Sequence, residues 1–133
     1  LGLGLNNVGG GAEVLGGSVL PHLPRLRELD IGRNALGHEA LQELRLQNLP
    51  DLQVLRLQGS ALRARAVPAL GLSLQPLTRL EELDLMNNAL RDGGVRALGP
   101  LLTHLKRLRR LNVGGNKASR VGIQRLKAAL PHV

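Results

Sequence analysis

The residues able to do chemistry in this chain are few, and their spacing argues against most reactions. His38-Glu39 opens like the helical zinc pattern in which a second histidine follows four residues after the first, but Gln42 stands at that place. His22, His38, His104 and His132 are scattered without ligand spacing, and Ser60, Ser73 and Ser119 have no histidine close by in sequence. GLGLNNVGGG lacks the G-x-G-x-x-G spacing, and in GGNKAS the lysine Lys117 is followed by alanine, so neither reads as a phosphate-cradling loop. Cysteine is absent, which excludes disulfides, thiolate zinc and a thiol nucleophile, and favours a reducing, intracellular and cytoplasmic setting. No catalytic residue, metal or cofactor is assigned. The chemistry left to the chain is noncovalent recognition by charges, amides and apolar surface.

Those groups must be positioned by a backbone whose apolar content is almost all aliphatic. Leucine supplies 33 of 133 residues, while Phe, Tyr and Trp are missing. A core made from one side-chain shape is poorly specified unless the backbone repeats and gives each leucine the same slot. The repeat is present. LRELDIGRNAL starts at Leu26, LQVLRLQGSAL at Leu52, LEELDLMNNAL at Leu80 and LRRLNVGGNKA at Leu108, at steps of 26, 28 and 28 residues. A truncated copy, LGLGLNNV, opens the chain, so residues 1–133 read as one domain of about five repeats. In each unit the LxL segment alternates like a strand, and the following segment moves to helical spacing, as in Val95, Leu98, Leu102 and Leu105. One strand and one helix per unit, stacked in register, shelter every leucine.

This pattern resembles the leucine-rich repeat family. Its period and true helix are similar to the ribonuclease-inhibitor-like class, as in the repeat regions of ribonuclease inhibitor, NOD-like receptors and Ran GTPase-activating proteins. The resemblance implies an α/β solenoid, or horseshoe, with parallel strands on the concave face and helices on the convex face. It also implies that Asn6, Asn34, Asn88 and Asn116, which stand where the chain leaves each strand, form a ladder that satisfies stranded backbone groups. Ser60 takes that slot in the third repeat, which predicts a looser joint there. Pro100 is expected to kink or end its helix, Pro68 to sit harmlessly near a helix start, and GGGAEVLGG to give a short helix. The chain begins in mid-motif without a polar cap, so further repeats are expected upstream.

On the concave face the central row runs Gly2, Asp30, Arg56, Asp84, Asn112, and the alternating charges predict neighbours at pairing distance. One flanking row is Glu28, Val54, Glu82, Arg110; the other is Gly32, Gln58, Met86, Gly114. A protein partner is expected on this face. Charge is lopsided: residues 1–92 hold nine Lys/Arg against ten Asp/Glu, while residues 93–133 hold nine Lys/Arg and no acid. Lys106, Arg107, Arg109, Arg110, Lys117 and Arg120 therefore form a candidate basic patch, with Arg125 and Lys127 nearby, suited to an acidic partner. Nucleic acid is the weaker partner, because no aromatic platform exists for bases and only backbone contact remains. No apolar run is long enough to insert in a membrane. The expected function is a protein-interaction module, a scaffold or sensor segment of a larger protein. The alternatives are a regulator of an enzyme, by inhibition or by GTPase activation, and a structural spacer.

Overall fold

An LxL segment can bury both leucines on one side only as extended chain, and each of the four complete units does this with a strand of three residues. In the computed structural model, which describes residues 1–2 and 11–133, these are β1 (Glu28–Asp30), β2 (Val54–Arg56), β3 (Glu82–Asp84) and β4 (Arg110–Asn112). They form one parallel sheet in the order β1-β2-β3-β4, with Leu29, Leu55, Leu83 and Leu111 side by side. Gly2 adds an isolated parallel bridge to Asp30, so the truncated first unit carries the same register. Asn6 and the rest of that unit up to residue 10 lie outside the described residues.

The helices lie behind the sheet. They are α1 (Ala12–Val14), continued by a π-turn over Leu15–Val19, then α2 (Gly37–Glu43), α3 (Val67–Leu74), α4 (Arg91–Leu102) and α5 (Arg120–Ala129). Only three residues of the glycine-rich first block are α-helical, and π and 3-10 turns carry the helical path on to His22. Gly16 also has a packing role, because a Cβ there would strike the backbone of Glu43 and Leu44 at the end of α2. Pro68 sits in the first turn of α3, where a missing N–H costs little. Pro100 does not stop α4 at once. The helix passes through it to Leu102, and the Thr103 hydroxyl donates to the Pro100 carbonyl at 3.0 Å. Proline in the last turn forfeits only a bond close to where the helix ends anyway.

Leu52, Leu80 and Leu108 enter each unit, Leu29, Leu55 and Leu83 fill the strands, Ile31, Leu57 and Leu85 follow, and all are fully buried. Helix leucines close the slab from behind, including Leu41, Leu70, Leu98 and Leu126. The turn after each strand takes a left-handed backbone at fixed places. Flanking the Asn/Ser slot these are Arg33 and Ala35, Gly59 and Ala61, Asn87 and Ala89, and Gly115 and Lys117. The shorter second repeat closes with Arg45 in the left-handed region and a 3-10 turn over Leu46–Asn48, in place of a last helical turn. Among the described residues no helix is long and apolar enough to cross a membrane.

Candidate functional site

The outward face of the sheet is built from short side chains that turn back on themselves and long ones that reach across. Asp30 accepts a hydrogen bond from the Gly32 amide (3.0 Å), Asp84 from Met86 (2.9 Å) and Asn112 from Gly114 (3.0 Å). Each closes an Asx turn at the strand end. The register does set Asp30, Arg56 and Asp84 side by side, yet the expected ion pairs along that row do not form. Arg56 instead reaches diagonally to Glu82 (3.2 Å) and Glu28 (3.6 Å), and Glu82 also takes Arg110 (3.4 Å). The physical reason is length: aspartate is committed to its own turn, whereas glutamate has an extra methylene and lies alongside the guanidinium. These pairs are partly solvated and contribute about 0 to 1 kcal/mol each. They order the surface more than they stabilise it.

In the third row Gln58 folds over Gly32, where a Cβ would collide with its amide, and donates to Asp30 at 3.4 Å. Among the described residues its buried Oε1 has no partner. Met86 beyond it is 40% exposed.

The amide ladder has its own geometry. Asn88 Oδ1 accepts from the amides of Ser60 (2.9 Å) and Leu62 (3.3 Å) in the preceding turn, while Nδ2 donates to the carbonyls of Leu57 (2.8 Å), Leu85 (3.0 Å) and Met86 (3.3 Å). Asn116 repeats the arrangement one unit on, accepting from Asn88 (2.9 Å) and Leu90 (3.2 Å). Asn34 donates to Ile31 (2.8 Å) and Gly32 (3.0 Å). Ser60 is completely buried and, among the described residues, its hydroxyl has no partner, so Ser60 does not send to the second turn the side-chain stitch that Asn88 and Asn116 send to the turns before them.

The candidate basic residues are all exposed, but they do not gather in one place. Lys106 and Arg107 occupy the turn before β4, Arg109 leads into it, Arg110 is its first residue, and Lys117 and Arg120 follow it on the far side. The strand separates the two ends of the set. Arg109 and Arg110 border a groove of about 530 Å³ beside β4 and α5, shared with Glu82, Asp84, Asn112 and Lys127. Its floor is apolar and includes the half-buried Leu111, Val113 and Ile123. The groove thus joins one end of the outward face to part of the basic set.

Lys117 belongs to a different surface. It lines a second groove of about 550 Å³ with Arg63, Arg65 and Arg91. Net charge by segment hides these arginines, since they fall in the balanced part of the chain. The signal that finds them is positional: Arg63 and Arg91 each stand three residues after the Asn/Ser slot of consecutive repeats. Close by, Asp92 accepts from the Ser119 amide, which holds its carboxyl below the usual carboxylate range, with the Ser119 hydroxyl acting the same way. Ser119 in turn caps α5 by accepting from Gly122 at 3.1 Å. His132 Nε2 lies 3.2 Å from the Leu105 carbonyl, and among the described residues no three potential metal ligands converge.

Parallel LxL strands in register, each followed by a turn and a helix, define an α/β repeat fold. The family described as Leucine Rich repeat matches residues 77–99, the unit containing β3 and most of α4. Repeats of this kind generally act as protein-interaction modules. No curated protein matches the chain.

Proposed function

We propose that this chain is a protein-binding module of the ribonuclease-inhibitor-like repeat class, with the sheet as the concave face of a solenoid, and that it holds an acidic protein partner across that face and the groove beside β4. The observation that carries the reading is the groove itself. It places Arg109, Arg110 and Lys127 around a half-buried aliphatic floor and runs into the polar rows at Glu82 and Asp84. Apolar centres with charged rims are the usual anatomy of protein interfaces, and arginine is favoured in them.

The test is quantitative capture of partners on the immobilised chain, comparing wild type with Arg107→Glu/Arg109→Glu/Arg110→Glu. Proteins retained by the wild type should be acidic, lost from the triple variant, and released by moderate salt. An identical retained set with a folded variant would overturn the reading.

A further inference from the structure

The groove lined by Arg63, Arg65, Arg91 and Lys117 shares no lining residue with the groove beside β4. It is built by the turns of three successive repeats. The Arg63 amide donates to the Asn88 carbonyl, and the Arg91 amide donates to the Asn116 carbonyl, both at 2.8 Å. Each arginine backbone is thereby fixed against the next turn, and the cations follow one another along the stacking axis. The remaining lining residues are Ala64 and Ala89, so among the described residues no carboxylate lines the groove. Among the described residues, none of the four cations is in an ion pair.

Two of these arginines sit where an L-residue is disfavoured. Arg63 has φ +60° and Arg91 φ +57°; the corresponding place in the second repeat is glycine, Gly37, at φ +63°. Glycine adopts this backbone without steric penalty, whereas a residue with a Cβ does not. Strained backbone of this kind is a recognised mark of functional positions. Here it puts two long cationic side chains at one edge of the stack.

We propose that this row binds an extended acidic peptide segment, a site additional to the one proposed above. Repeats along a parallel stack advance about 4.8 Å at the sheet, and alternate residues of an extended peptide about 6.6 Å, a mismatch that long arginine side chains can take up. Carboxylates on one face of such a segment therefore meet successive cations, and guanidinium groups bind carboxylates in bidentate fashion. The chain has no aromatic residue on which a base could stack, which favours peptide over single-stranded nucleic acid. Asp92, the acid next to Arg91 in sequence, is turned onto the Ser119 amide.

The test uses fluorescence anisotropy of a labelled oligoglutamate against the whole chain, its Arg63→Gly/Arg91→Gly variant, and the charge-matched control Arg25→Gln/Arg27→Gln. Glycine removes the cations and relieves the backbone, so the first variant should fold at least as stably as the wild type. Its affinity should nevertheless fall about tenfold, with the control close to wild type. Equal loss in both variants would show diffuse electrostatics and overturn the site, as would no loss in the glycine variant. Single-stranded DNA of equal charge that binds more tightly than the peptide, and suffers the same loss, would overturn the assignment to peptide.

Discussion

Replacing Ser60 with asparagine should stabilise the fold, and the chain itself supplies the template for how much. Asn88 and Asn116 each accept two backbone amides and donate to three carbonyls from the equivalent place. An asparagine at 60 is positioned to accept from the amides of Asn34 and Leu36 and to donate to the carbonyls of Ile31, Leu57 and Gln58. It also removes a fully buried hydroxyl that has no partner among the described residues. Net gains of about 0.5 to 1.5 kcal/mol per hydrogen bond, shared among bonds that compete for the same carbonyls and offset by side-chain ordering, give roughly 1 to 3 kcal/mol in total. For a domain of this size that is about 3 to 10 °C in Tm. The assay is urea and thermal unfolding followed by far-ultraviolet circular dichroism, because the chain has no aromatic residue to serve as a fluorescence probe. Ser60→Ala and Asn88→Ala make the comparison decisive. The first should be neutral or mildly stabilising, and the second should cost about 3 kcal/mol or more by orphaning several buried backbone groups. A Ser60→Asn protein no more stable than wild type, or a Ser60→Ala protein damaged as badly as Asn88→Ala, would refute the reasoning.

Other substitutions test the remaining physical links. Leu83→Ala truncates a fully buried strand leucine and should cost about 2 to 5 kcal/mol in the same unfolding assay, while Leu83→Asp should abolish the cooperative transition. Ala61→Gly and Ala89→Gly, at φ +55° and +54°, should each stabilise by about 1 kcal/mol, read as a raised urea midpoint. Gly115→Ala should destabilise, since its φ is +64° and a Cβ there runs into Asn87. Because the folded carboxyl of Asp92 titrates below its ordinary value of 3.8, its contribution is complete above that value and is lost as pH falls through the lower folded one. Amide exchange at Ser119, followed by acid titration, should show the loss, and Asp92→Asn should remove the pH dependence.

The repeat, the strand register and the buried amide slots are readable from residue types alone, because an LxL flanked by a helical stripe admits one way of hiding its leucines. Pairing on the outward face is not readable at the same level. Row neighbours such as Asp30 and Arg56 look like partners until the competing claim of the Gly32 amide is seen. The basic set divides for a similar reason: Lys106 and Lys117 lie within one unit of sequence, but β4 stands between them. Arg63 and Arg91 come together only when turns 28 residues apart are laid on one another. Their individual neighbours in the chain give no hint of it.

Glu82 lies between Arg56 and Arg110, so the outward face arrives with its own carboxylate already seated on those cations. An incoming acid that reaches for Arg110 meets an internal rival, held at high local concentration on the adjacent strand. That occupant keeps the guanidinium groups oriented while empty-handed, and it caps the affinity any visitor can reach. Glu82→Gln would vacate the seat and tighten, rather than weaken, the hold on an acidic partner.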